Sequence, residues 1–221
     1  MPQASKGELT RNKILRDTNE FFNKNGINST ITEIGQQTGL GKSKITNYFP
    51  KKEILFKAIL EEYNEKAQHL FLQYHQGDIQ FSFSWYVSYI SKVMDLMYEY
   101  RAVINFSLVE DNNFEVNQHI RESYLKNKKV IHQRIEFMVN QGLIDSSLLD
   151  QSEFNVFVLQ YYSVASFWIN IFQRVESERS YFESKPDYLK AILACFNPYL
   201  TKKGKEEKSK AVEEFFAQEE A

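Results

Sequence analysis

Within the seven residues from Lys42 to Tyr48 the sequence places two lysines, a serine, a threonine, an asparagine and a tyrosine around one isoleucine, Ile45. These side chains are donors and acceptors for a nucleic acid. Lysine suits the acceptors on guanine, and asparagine suits the donor and acceptor of adenine. Lys42, Lys44 and Asn47 are therefore the candidates for base edges, with Ser43 and Thr46 on the same short segment. Thr30 and Tyr48 are candidates for phosphate or sugar, and Thr32 for the groove edge. Other reactive side chains form no comparable group. His69, His75, His119 and His132 are read as having no i,i+4 pairing with a second ligand, so no metal site is expected. The single cysteine, Cys195, has no sequence-level partner and reads as a buried thiol. With no Gly-rich phosphate loop either, the chain is read as a non-enzyme without a cofactor.

The elements that must hold the 42–48 segment are legible nearby. A first helix is expected from about Lys6 to Lys24, its apolar face made of Ile14, Leu15, Phe21 and Phe22, with Asn25-Gly26 as the stop. Thr30-x-x-Glu33 is a capping box that opens a second, short helix. Gly39-Leu40-Gly41 is a tight connector, and a third helix runs from Lys42 to Tyr48 before Phe49-Pro50 ends it. Two short helices across a glycine-containing turn have the geometry of a helix-turn-helix, whose second helix enters the major groove. Ile34, Leu40 and Ile45 are its expected core, and Gly35 permits close helix approach. Residues 1–60 carry ten Lys/Arg and five acids, net +5, which leaves −7 for the remainder of a chain at −2 overall. A basic head on an acidic body suits a polyanion-binding head.

The run from Ser29 to Phe56 resembles the DNA-binding signature of the TetR (tetracycline-repressor-like) family. The matching features are the Thr30 cap, the Ile34-Gly35 pair, Gly39, Tyr48-Phe49 and Pro50-x-Lys52-Glu53, within residues 8–60. The resemblance implies a homodimer on a double-stranded DNA operator with two half-sites, and repression relieved by a small molecule. It also implies that Lys52, opening the fourth helix, contacts phosphate. Three positions depart from the pattern. Gly41 stands where a side-chain cap is usual, Thr46 where a phosphate-contacting tyrosine is usual, and Gly35 and Thr38 where small alanines are common. Gly41 and Thr46 motivate the alternative reading, a helical ligand- or protein-binding module with weak or lost DNA binding.

Beyond residue 50 the chain reads as helical throughout, giving an all-α fold of about nine to ten helices with no strand alternation. Helices are expected from Lys51 to Gln76 with a break at Gly77-Asp78, from Ile79 to Tyr98, from Arg101 to Val109, then a turn at Asp111-Asn113. A seventh helix carries Ile120, Tyr124, Ile131, Ile135 and Met138 up to Gly142, and an eighth runs from Gln151 to Glu178. A ninth is expected to have Pro186 in its first turn and to reach Leu200. The expected domains are a helix-turn-helix domain at 1–52, a ligand-binding and dimerisation domain at 53–200, and a charged tail at 201–221.

Twenty residues without formal charge, Phe154 to Gln173, are long enough to span a membrane. Polar side chains recur among them (Asn155, Gln160, Ser163, Ser166, Asn170, Gln173), so the segment reads as a helix buried on two sides. The single cysteine allows no internal disulfide, and a reducing, cytoplasmic setting is expected. Residues 79–172 are dense in aromatic rings, which suits a small hydrophobic or aromatic ligand. Tyr86, Tyr89, Phe106, Tyr161 and Ser163 are the candidate ligand contacts. The eighth helix and the ninth, with Tyr188, Ile192, Leu193 and Phe196, are the expected dimer surface.

Overall fold

The structure is a computed structural model and describes residues 5–74, 82–109, 114–176 and 178–219. The expected break at Gly77-Asp78, the start of the fifth helix at Ile79, His75, Phe81 and the turn at Asp111-Asn113 lie outside the described residues, as do the side chains of His119 and Ile120.

Among the described residues the fold is all-α, with ten α-helices: α1 (Lys6–Asn25), α2 (Ile31–Gln37), α3 (Lys42–Tyr48), α4 (Lys52–Tyr74), α5 (Phe83–Glu99), α6 (Arg101–Val109), α7 (Phe114–Asn140), α8 (Gln151–Val175), α9 (Tyr181–Ala194) and α10 (Lys202–Glu219). The described residues contain no strand, only an isolated antiparallel bridge between Ile144 and Leu200. No helix among them is long and apolar enough to cross a membrane.

The chain divides into two compact units. One comprises Met1–Phe71 with Leu96–Asp111, and the other Leu72–Asp95 with Asn112–Ala221. The first unit therefore takes in most of α4, the end of α5 and all of α6 besides the three N-terminal helices. Ser5 and Glu8 form a capping box that starts α1, and Gly26, at φ +79°, ends it. Ile14, Leu15, Phe21 and Phe22 are buried, as their spacing predicts, and meet Ile34, Leu40, Ile45, Leu55 and Ile59 in the unit's core.

In the second unit α7 ends in a Schellman turn. Gly142 takes φ +68° and donates to Val139, while Leu143 donates to the Met138 carbonyl. Two expectations need correction here. Helix α9 begins at Tyr181, because Ser180 and Glu183 form a capping box that the sequence reading passed over. Pro186 consequently sits in the helix interior, where its missing N–H leaves the Phe182 carbonyl without an intrahelical donor. The helix stops at Ala194, and only a 3-10 turn over Asn197–Tyr199 follows. The charged segment after Leu200 forms α10. Thr201 and Gly204 dock its start on the Gly142 and Leu143 carbonyls, and the Glu207 carboxylate accepts from the Phe83 amide, 3.2 Å away, at the first turn of α5.

Candidate nucleic-acid interface and aromatic cluster

The α2–turn–α3 pair is built from backbone constraints. Thr30 accepts from the Glu33 amide, while the Glu33 carboxylate takes the Thr30 amide at 2.7 Å and its hydroxyl at 2.9 Å. Those hydrogen bonds hold the Glu33 carboxyl below the usual carboxylate range, with the Lys52 charge adding to the effect. The connector then needs two residues in the left-handed half of backbone space, Gly39 at φ +68° and Gly41 at φ +73°. A side chain at Gly41 would be strained, so the missing side-chain cap on α3 follows from the shape of the turn. Gly35 lies against the same turn. A methyl there would sit 2.8 Å from the Lys42 nitrogen and 2.9 Å from the Gly41 carbonyl carbon.

Ile45 is fully buried under α3, and Phe49 is buried just after it. Anchoring that face turns the rest of the helix outward: Lys42, Ser43, Lys44, Asn47 and Tyr48 are exposed, as are Thr30 and Thr32 on α2. Thr46 is half-buried, and its hydroxyl donates to the Ser43 carbonyl at 3.2 Å. Lys52 is half-buried and donates from Nζ to the Ile27 carbonyl at 2.9 Å, which holds the ammonium at the start of α4. Two further basic residues, Lys6 and Arg11, belong to α1 at the edge of this helix pair. The Arg11 guanidinium lies 5.5 Å over the Phe49 ring, and a methyl on Gly7 would lie 3.9 Å from the Tyr48 hydroxyl. The first half of α1, with exposed Lys6 and Arg11, therefore borders the end of α3. The signal available in sequence was the basic bias of the first sixty residues.

In the second unit, three of the candidate ligand contacts converge. The Tyr86 hydroxyl donates to Tyr161 at 2.5 Å, both side chains being buried, and the Tyr89 ring stacks on Trp85 at 5.6 Å. Arg134 of α7 enters this cluster, its guanidinium 5.2 Å from the Tyr89 ring centre, 5.4 Å from Trp85 and 5.9 Å from Tyr86. Burial pushes the Tyr161 phenol up to about 12 and raises that of Tyr86 well above its ordinary value; Tyr89 is raised as well, with the Arg134 charge opposing burial. The other two candidates lie elsewhere. Phe106 belongs to the first unit, edge-on to Phe56 at 5.2 Å, and Ser163 is exposed on α8.

The expected dimer surface is also redistributed. Ile192, Leu193 and Phe196 are buried within the chain itself, Phe196 against Phe83, Tyr86, Phe157 and Tyr161. These residues cannot form an outer surface, because the core of the second unit already uses them. The exposed apolar side chains are instead Val156, Leu159, Phe167, Ile171 and Val175 on α8, joined by Phe182 on α9. Against expectation His132 does have a carboxylate at i,i+4, Glu136 at 3.5 Å, but among the described residues no group of three or more His, Cys, Asp and Glu could hold a metal ion.

The TetR family model, described as a bacterial transcriptional repressor, matches residues 58–207. Its match begins where the helix-turn-helix signature ends, so the two cover the chain in succession. No curated protein sequence matches the chain. The fold is similar to that of a TetR-family transcriptional regulator from Marinobacter aquaeolei VT8, with a TM-score of 0.76 at 19% identity over 93% of this chain and 98% of that one. It is also similar to the TetR family protein CprB from S. coelicolor A3(2), with a TM-score of 0.66 at 15% identity over 95% of this chain and 98% of that one. A third similar structure is a complex of SmeT with triclosan, with a TM-score of 0.58 at 13% identity over 88% and 93% of the two chains. At these identities the likeness is one of fold.

Proposed function

This chain belongs to the TetR family of bacterial transcriptional repressors, and on that premise we propose that it is a homodimeric, cytoplasmic DNA-binding repressor released from its operator by a small ligand. The observation that carries this reading is the outward face of α3: Lys42, Ser43, Lys44, Asn47 and Tyr48 stand exposed over the buried Ile45. Lys42, Lys44 and Asn47 read base edges, while Thr30, Tyr48 and Lys52 grip phosphate or sugar and fix the register. Lys52 does so beside the first turn of α4, where free backbone amides favour the same anion. Thr32, Ser43 and Thr46 border the groove, and Arg11 and Lys6 extend the positive rim.

The effector reading rests on Tyr86, Tyr89 and Tyr161, which the fold brings together with Trp85 and Arg134. Such a cluster offers ring faces and a few polar handles, which suits a small hydrophobic or aromatic molecule; a protein of the same fold, SmeT, has been solved with triclosan. Dimerisation is assigned to the exposed apolar row of α8 with Phe182 of α9.

The test is a titration of DNA from upstream of the chain's own gene at several salt concentrations. A repressor's log affinity should fall against log salt with a slope of about −0.9 per neutralised phosphate. Lys52→Ala should weaken binding to all sequences and reduce the slope by about one. Affinity that does not respond to salt, or a Lys52→Ala variant indistinguishable from the parent, would overturn the assignment.

A further inference from the structure

Helices α5 and α6 are separated by a single residue, Tyr100, and the Glu99 carbonyl and Ala102 amide on the two sides of that break are taken up by side chains from α1. Every helix end leaves backbone donors or acceptors that need partners. At this break the Glu99 carbonyl, at the end of α5, accepts from the Asn23 amide at 2.7 Å and from the Asn19 amide at 2.8 Å. The Ala102 amide, in the first turn of α6, donates to the Asn23 side-chain oxygen at 3.1 Å. Arg101 closes the arrangement by donating to the Asn23 backbone carbonyl at 3.4 Å and to the Tyr98 carbonyl at 2.9 Å. One carboxamide thus holds both sides of the break. Only a side chain carrying a donor and an acceptor together can do this; an aspartate lacks the donor.

The break is gripped from α4 as well. The Tyr100 hydroxyl donates to Glu62 at 2.6 Å, and Lys66 bridges Glu62 at 3.4 Å and Glu99 at 2.8 Å while lying over the Tyr100 ring. The grip from α1 differs in that the same helix carries Arg11, which covers Phe49 at the end of the recognition helix α3. Helix α1 is therefore held to the α5–α6 break near its C-terminus and to the exit of α3 along its first half.

We propose that Asn23, supported by Asn19, is the coupling residue of the repressor: its carboxamide passes a rearrangement of the α5–α6 break to α1 and so to the recognition helix. The proposal deepens the DNA-binding reading above and rests on it for the functional half of its test. Loss of the two side-chain hydrogen bonds of Asn23 should open the break roughly tenfold more often, each such bond being worth a factor of about three in that equilibrium.

Hydrogen–deuterium exchange of the full chain tests this, with and without the upstream DNA, for the parent, Asn23→Ala and Asn23→Asp. In the free protein Asn23→Ala should speed exchange about tenfold in the peptide containing Ala102 and in the second half of α1, leaving α9 unchanged. Asn23→Asp, which retains the acceptor, should do the same in α1. In the parent, DNA should slow exchange at Ala102, because coupling between sites is reciprocal; in Asn23→Ala it should not. That last difference would not arise from a merely structural residue. Unchanged exchange in α1 of the free variants overturns the proposal. So does DNA protection of Ala102 that is equal in parent and variant, or absent from a DNA-bound parent. A parent that binds no DNA overturns the repressor reading instead, and exchange in free α1 still decides whether the clamp exists. Should Asn23→Ala fail to fold, Asn19→Ala removes one donor to the Glu99 carbonyl and must give the same pattern at smaller amplitude.

Discussion

Gly204 has the tightest surroundings of any described glycine. A methyl on its Cα would overlap the Leu143 carbonyl oxygen, to which the α10 start is hydrogen-bonded through Thr201. Gly204→Ala should therefore lift α10 from its seat at a cost of about 1–3 kcal/mol, the usual penalty of overpacking, seen as a lower urea midpoint. Gly35 is constrained in the same way by the turn before α3. The Tyr86–Tyr161 pair makes a second prediction at this scale. Tyr161→Phe removes the Tyr86–Tyr161 hydrogen bond and should cost about 0.5–1.5 kcal/mol, measured by denaturant unfolding of a variant whose ring packing is unchanged. Because burial raises both phenols in the folded state, the unfolded chain loses these protons first as pH rises. Stability should then fall above about pH 10, and the loss should be smaller in Tyr161→Phe.

Three helices begin with the same device. Ser5 with Glu8, Thr30 with Glu33 and Ser180 with Glu183 each exchange hydrogen bonds between a hydroxyl, a carboxylate and two backbone amides. In all three the carboxyl is held below its ordinary range by the backbone and hydroxyl of the capping residue. A depressed folded value means that the unfolded chain binds the proton more tightly, so stability is present above the ordinary glutamate value and falls as pH drops through the folded one. Unfolding monitored from about pH 5 downward should show this slope. Replacing Glu8, Glu33 and Glu183 together by glutamine should flatten it, since glutamine keeps an acceptor and does not titrate. Two of these boxes lie in the first unit, so the acid loss should appear there as well as in α9. The Ser180 box was visible in the sequence; Pro186 drew the helix start away from it because proline favours first turns without being confined to them.

At the scale of the whole molecule, the distinction that matters is between apolar faces spent inside the chain and those left over. Leu159, Phe167, Ile171 and Val175 follow one another at multiples of four residues along α8 and remain exposed, whereas Ile192, Leu193 and Phe196 are consumed by the core. Leu159→Glu with Ile171→Glu should thus convert the proposed dimer into a monomer of unchanged helicity, checked by sedimentation and circular dichroism, with a parent that is already monomeric counting against the assignment. The same change in Ile192 should unfold the second unit instead. In a dimer competent for DNA, the two α3 helices must lie about 34–36 Å apart to meet successive major grooves, so the monomeric variant should also lose cooperative operator binding.

Local chemistry was enough to place α3, α6, the Thr30 box, the turn of Gly39 and Gly41, and the buried trio Ile34, Leu40 and Ile45. Each of these depends on residues within a few positions of one another, through caps, turns and helical period. Which aromatic residues meet was not legible in this way. Phe106 and Tyr86 have the same character in sequence, yet one packs on Phe56 and the other on Tyr161, because partners 50 and 75 positions distant are set by how helices pack. The same holds for the surplus face of α8, for α10 against the Leu143 carbonyl, and for Asn23 across the α5–α6 break. A helical pattern says that a face is apolar or that an amide is present. Only the packed chain decides what each of them touches.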